Sequence, residues 1–242
     1  LITLEDNAIG NAGEGNDTLI VSDNAQGFGL AGNDSLTGSD NATIMGGDGN
    51  DVLTASGSGE ANGGWGDDVM TLSGDVDGFA GVGNDTITAS GTVNVNGGDG
   101  DDSMTGSGEA VMNGGDGADT LIGTSFNTLS GGDGNDLFVS DWDADGASVT
   151  VRDFDSDQDR LAVFIGDRDP ADLEFRVMPS AAGNATDVVI FEAGTTDAVP
   201  YASFTLRGVD GYDLNDLLLY GEDLEEPLEF TIDPALIETI TG

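Results

Sequence analysis

Aspartate recurs at a constant step of 17 residues along the first part of this 242-residue chain, at Asp17, Asp34, Asp51, Asp68, Asp85, Asp102, Asp119 and Asp136. Two residues before each stands a glycine, from Gly15 and Gly32 through to Gly117 and Gly134. Two residues after each stands a large apolar side chain: Leu19, Leu36, Leu53, Met70, Ile87, Met104, Leu121 and Phe138. Three columns held in register over eight repeats are an internal repeat, not an accident of composition. A carboxylate repeated at one place on a repeated turn can collect cations or move protons. Proton transfer is poorly served, because the chain has no histidine, cysteine or lysine to complete a base or nucleophile pair. No catalytic constellation is visible, and the reading is of a chain that is not an enzyme.

Cation binding is well served. Stacked coils of β-structure lie about 4.8 Å apart. Neighbouring carboxylates at that distance repel by roughly 1 kcal/mol per pair in water and by several at a lower effective dielectric. A divalent cation between coils reverses the sign of each contact. Calcium accepts about six to eight oxygens in a flexible geometry that includes main-chain carbonyls, which glycine-rich turns leave unobstructed. Magnesium demands a tighter octahedron, and zinc prefers the histidine or cysteine that is absent. The expected cofactor is Ca²⁺, with about seven ions between the eight adjacent coils.

The elements that must position these carboxylates follow from the repeat. The best-formed units, Gly46-Gly47-Asp48-Gly49-Asn50-Asp51-Val52-Leu53-Thr54 and Gly131 to Val139, join a tight turn to a short strand with alternating outward and inward residues. A 17-residue unit cannot bury its own apolar side, but stacked units share one core. That core is expected to be thin: beside the large column the inward positions are small, as at Ala25, Ala42, Val93 and Ala110. The opposite edge of each coil carries a hydroxyl column, Ser22, Ser39, Ser56, Ser73, Ser90, Ser107 and Thr124, expected to close those turns by side-chain to backbone hydrogen bonds.

Composition excludes several partners. With 47 acidic against 5 basic residues the formal net charge is −42, which repels nucleic acid and anionic membranes alike. There is no disulfide framework, no apolar run long enough for a membrane span, and no signal-peptide pattern at Leu1-Ile2-Thr3-Leu4. Leu1 to Asn11 fits the register as the back half of an earlier coil, which suggests truncation of a longer array.

Residues 12 to 139 resemble the RTX (repeats-in-toxin) calcium-binding repeats of proteins exported by bacterial type I secretion. The resemblance implies an all-β fold, a parallel β-roll or β-solenoid of about eight coils. It also implies that the eight aspartates supply carboxylate ligands. Further donors would come from the turns at Gly46 and Asp48, Gly97 and Asp99, Gly114 and Asp116, and Gly131 and Asp133. It implies secretion, with the export machinery as a transient partner, and folding triggered by extracellular calcium. Two departures stand out. Only one nine-residue half of each coil carries the motif, so calcium turns are expected along one edge. Leu30 replaces the second turn glycine of one repeat, and Ala118 precedes one aspartate.

All five arginines and all five prolines lie after residue 151, and from about Ser148 the period is lost. Residues 1–147 are read as the solenoid, 148–221 as a β-rich C-terminal cap, and 222–242 as a tail, linker or part of a secretion signal. Strands are expected at Ser148–Val151, Val188–Phe191 and Ala202–Leu206. Asp141-Trp142-Asp143-Ala144-Asp145-Gly146 opens like an EF-hand loop, but Arg152 stands at its twelfth position; it is read as an irregular extra calcium site or an acidic loop, as is the run Asp153, Asp155, Asp157, Asp159. Two other functions stay open. Thr37, Thr54, Thr71, Thr88 and Thr105 form an outward column suited to ice binding or adhesion, and the chain could be the C-terminal module of a larger secreted enzyme or toxin. Self-assembly or attachment at a cell surface is compatible with either.

Overall fold

The computed structural model describes residues 1–124, 126–141, 148–165, 172–179, 185–192, 202–207, 217–220 and 228–229. Each 17-residue unit contributes one strand to each of two sheets, and each sheet has twelve strands. The strand that follows the aspartate builds the first sheet: Thr18–Val21, Ser35–Gly38, Val52–Gly57, Val69–Gly74, Thr86–Gly91, Ser103–Gly108, Thr120–Gly123 and Leu137–Asp141. The strand that leads into the next glycine turn builds the second, from Ile9–Glu14 and Gln26–Ala31 to Val111–Asp116 and Thr128–Asp133. Pairing is parallel with identical register from coil to coil, as in Leu19↔Leu36, Leu53↔Met70 and Ile87↔Met104. The chain is therefore a parallel β-solenoid of about eight turns. The opening segment stacks in the same register, with Ile2 opposite Leu19 and Ile9 opposite Gln26.

Alternation along each strand sends one set of side chains between the sheets, where the large column from Leu19 to Phe138 is fully buried or nearly so. The remaining inward positions compensate one another across the core. Gly27 faces Val21, Gly38 faces Ile44, Gly78 faces Leu72 and Gly106 faces Met112. Where both are of middling size they are Ala55 with Ala61 and Ala89 with Val95, all buried. A side chain added at Gly106 would stand 2.7 Å from the Met112 methyl, so the small residue on one sheet makes room for the large one on the other. This pairing keeps the coil cross-section constant, which a uniform stack requires.

Past residue 141 both sheets run on. Arg160–Phe164 pairs in parallel with the strand Leu137–Asp141, putting Leu161 opposite Phe138, and Leu217–Tyr220 pairs in parallel beyond it. On the other sheet Ser148–Val151 and then Ala202–Arg207 continue the parallel order. Both sheets end antiparallel, through Ala185–Glu192 and Leu173–Pro179 on one and Leu228–Glu229 on the other. Strands thus stand at each of the three places expected from alternation. Antiparallel strands at the end of a parallel stack cover hydrogen-bonding groups that would otherwise template another chain. The Asp141–Gly146 run lies outside the described residues beyond the main chain of Asp141, and so does most of the tail 222–242.

The core pairing predicts a compensated double mutant. Gly78→Val should destabilise the calcium-loaded fold by about 1–3 kcal/mol through overpacking against Leu72. Leu72→Ala in the same chain should restore most of that loss, measured as denaturation midpoints. Additive losses would contradict the pairing.

Candidate metal centre

The site is built by the glycine turn and the aspartate that ends it. In the turn Gly46–Gly49, Gly47 has φ 118° and Gly49 φ 130°, a region unfavourable to other residues. A Cβ at either would also collide with a carbonyl of the preceding coil, Leu30 O under Gly47 and Gly32 O under Gly49. Side chains are thus excluded twice over, and the turns stack main chain upon main chain. Leu30 is the exception, held at φ 83° with its side chain exposed.

Each aspartate turns its carboxylate into the stack. Oδ1 of Asp34 accepts the main-chain N–H of Asp17 at 2.7 Å, and the same bond repeats from Asp34 to Asp51, Asp51 to Asp68, and on to Asp119 and Asp136 at 2.7–2.9 Å. A second ladder runs beside it in the opposite sense. Oδ1 of Asn16 accepts from Asn33 N–H, Asn33 from Asn50, Asn50 from Asp67, Asp67 from Asn84, Asn84 from Asp101 and Asp101 from Ala118. Ala118 brings no acceptor to continue it.

The other carboxylate oxygen is the decisive feature. Asp34, Asp51, Asp68, Asp85, Asp102, Asp119 and Asp136 are only 1–3% exposed, and Oδ2 of every one is buried with no hydrogen-bond partner. Each such oxygen of Asp34, Asp51, Asp68, Asp102, Asp119 and Asp136 lies against the glycine five residues earlier: Gly29, Gly46, Gly63, Gly97, Gly114 and Gly131. At five of these the carbonyl of the next coil closes the same space, standing 2.5–2.6 Å from where a Cβ would be. The pairs are Asp34 with Gly46 O, Asp51 with Gly63 O, Asp68 with Ala80 O, Asp102 with Gly114 O, and Asp119 with Gly131 O.

Burial raises the carboxyls of this column. Desolvation pushes Asp51 and Asp136 up to about 6 and Asp68 and Asp102 up to about 7, opposed by the N–H each accepts and reinforced by neighbouring carboxylates. Asp85, Asp119 and Asp159 are raised for the same leading reason. A buried anionic oxygen with no donor is costly unless a cation meets it. An oxygen-only donor set of one carboxylate per coil plus glycine carbonyls fits a hard divalent cation such as calcium. Among the described residues no three acidic, histidine or cysteine side chains converge, so such a site must draw on the main chain.

Of the residues expected from the sequence, the turn glycines Gly46, Gly97, Gly114 and Gly131 all border the orphan oxygens. Asp17 stands apart: it is not fully buried, its Oδ2 is not among the buried unpartnered oxygens, and Ala12 holds the place five residues before it. Asp48, Asp99, Asp133 and Asp116 carry exposed side chains. Their carbonyls accept N–H bonds at 2.8 Å from Gly32, Gly83, Gly117 and Gly100 respectively. On the far edge the hydroxyls of Ser73, Ser90, Ser107 and Thr124 donate to carbonyls of the preceding coil, so they tether coils and do not close their own turns. Ser22 and Ser39 bond to the adjacent Asp23 and Asp40.

The sequence marks Asp159 only as one of an acidic run, yet it is the ninth rung. Its Oδ1 accepts Asp136 N–H at 3.1 Å, 23 residues away, and its Oδ2 accepts Asp155 N–H at 2.8 Å. With both oxygens occupied it ends the row of orphans. The available signal was Leu161, which keeps the two-residue spacing to a large side chain after the step of 17 has failed. Asp153 also has a defined role, accepting from the Ser130 hydroxyl (2.6 Å), Gly131 N–H (3.0 Å) and Gly132 N–H (3.1 Å), which caps the last glycine turn.

The model of the RTX calcium-binding nonapeptide repeat matches the chain in four copies, over residues 37–58 and 113–146. No curated protein matches the chain.

Two predictions follow from the geometry of the turn. A carboxyl whose folded pKa lies above its unfolded one favours the folded state at low pH, and that contribution is lost as pH rises through the folded value. In EDTA the metal-free chain should therefore hold more β-structure at pH 5 than at pH 8, declining through about pH 6–7, by far-UV circular dichroism. A flat or rising profile would contradict the raised carboxyls. Leu30→Gly should stabilise the calcium-loaded fold by about 1 kcal/mol, relief of the positive φ exceeding the added chain entropy. An unchanged or lower denaturation midpoint would show that Leu30 is not strained.

Proposed function

We propose, from the RTX repeat matches at residues 37–58 and 113–146 and a parallel β-solenoid that fits an RTX β-roll, that the chain is a secreted structural or surface module whose solenoid folds when it meets extracellular calcium. The observation that carries this is the row of seven buried carboxylate oxygens without hydrogen-bond partners. In the proposed ligand set the cations lie between coils, where these oxygens act with the carbonyls of the adjoining glycine turns. Bound calcium supplies the positive charge that the first 151 residues lack altogether.

The chain's own residues set the conditions for a switch. Without metal, the aspartate column resists stacking through desolvation and mutual repulsion, and the thin core between the two sheets offsets only part of that. Extracellular calcium modules bind with dissociation constants of roughly 10⁻⁴ to 10⁻³ M. At millimolar calcium each site then contributes about 1 to 3 kcal/mol by mass action, and several sites together decide whether the solenoid forms. At cytosolic calcium the sites would be empty and the chain unfolded, as passage through type I secretion machinery requires. The role is that of a folded surface; it assigns no catalytic residue.

A second reading rests on one specific feature. Thr37, Thr54, Thr71, Thr88 and Thr105 are in exact lateral register on the outer face of the first sheet. Such a grid suits ice or another ordered surface, although threonine also simply suits an exposed strand. Inhibition of ice recrystallisation by the folded chain, lost in Thr71→Asp, would favour it.

The main proposal is tested by far-UV circular dichroism during a calcium titration from EDTA, with magnesium as control. A coil-to-β transition between roughly 0.1 and 10 mM calcium, weak or absent with magnesium, is expected. A chain that is fully β-structured at neutral pH and metal-free by elemental analysis would overturn it.

A further inference from the structure

The column of residues that borders the orphan oxygens is glycine at six of seven successive positions. Gly29, Gly46, Gly63, Gly97, Gly114 and Gly131 each leave clear the space beside the carboxylate five residues later, and in each a Cβ would strike that Oδ2. Between Gly63 and Gly97 the same column holds Ala80, fully buried, five residues before Asp85. A Cβ on the glycine of the other coils would fall against that carboxylate, and at Ala80 this position carries a methyl group.

The hydrogen-bond ladder is unbroken there, and Asp85 Oδ2 is buried without a partner like the others. Asp85 Oδ1 still accepts Asp68 N–H at 2.7 Å, and Asp85 N–H still donates to Asp102 Oδ1 at 2.8 Å. The carbonyl of Ala80 still closes the space beside Asp68, at 2.6 Å from the Cβ position of Gly63. The alanine therefore keeps the main-chain geometry and removes only the room for a ligand. A second, independent change coincides with it. At the third turn position, aspartate in Asp48, Asp99, Asp116 and Asp133, the two coils in between carry Trp65 and Val82, which pair in register and are 68% and 46% exposed. The acidic edge is thus interrupted at the coil where the cradle is filled and at the one before it, as it also is at Ala31.

Resting on the calcium reading above, we infer that the inter-coil space at Asp85 holds no calcium, and that the array is two separate calcium rows within one continuous solenoid. The first row comprises the spaces at Asp34, Asp51 and Asp68, and the second begins at Asp102 and continues through Asp119. A methyl group offers no donor and excludes the ion sterically, whereas the hydrogen-bond ladder passes through without a break. The two rows share strand pairing and core but no cation.

The test is bound calcium per chain, measured by equilibrium dialysis and elemental analysis at saturating calcium, on the full chain and two variants. Ala80→Gly opens the blocked space and should raise the count by one ion per chain. Gly114→Ala closes an open one and should lower it by one, with circular dichroism in calcium confirming that the β-structure persists. A count in folded Ala80→Gly equal to or below that of the unaltered chain would overturn the inference, whatever Gly114→Ala does. An unaltered chain that binds no calcium would instead overturn the proposed function, so the two failures are distinct.

Discussion

A carboxylate withdrawn from water at every turn of a narrow rod costs more than the thin core of each coil returns, unless each charge finds a counter-charge. One oxygen of each buried aspartate is met by a main-chain N–H of the preceding coil. The other is met by nothing in the polypeptide. The polypeptide alone is therefore an incomplete structure, and the raised carboxyls of Asp51, Asp68, Asp102 and Asp136 express the same shortfall as a tendency to hold protons where no cation is bound. Protons and calcium compete for these oxygens, which makes the fold responsive to both.

The other features serve to hold that column straight. Glycine at the second and fourth turn positions lets the turns stack on one another's carbonyls, and glycine at the first leaves space beside the carboxylate. Two side-chain ladders of opposite sense, one of aspartate and one of asparagine and aspartate, fix the spacing along the edge. Across the core, Gly78 against Leu72 and Gly106 against Met112 keep every coil the same width. A bulge in any one coil would tilt the next and spoil the alignment of oxygens.

Much of this was legible in the sequence because the constraint is periodic. The step of 17 exposes the turn, the strand and the ligand column at once, and it fixes the parallel register before any coordinate is known. The reading failed where the step changes. Asp159 continues the column after 23 residues, and a fixed period cannot find it. The hydroxyls at the far edge are expected from the sequence to close turns, but in the parallel stack those of Ser90 and Thr124 donate to carbonyls of the preceding coil. Compensation between sheets was also invisible, since it pairs residues about six apart whose sizes vary while only their sum is constrained. Asp17 keeps the spacing to Gly15 and Leu19, yet Ala12 stands where most later coils have glycine, and its carboxylate is less buried than the rest.

The central claim, that the orphan oxygens are the cation ligands, is tested most directly by a crystal structure of the calcium-loaded chain with anomalous scattering recorded to locate the ions. The account predicts a row of ions along the glycine edge, each coordinated by an aspartate Oδ2 of the buried column and by glycine-turn carbonyls. Ions confined to the exposed carboxylates of Asp48, Asp99, Asp116 and Asp133, or a folded chain without ions along that edge, would contradict it.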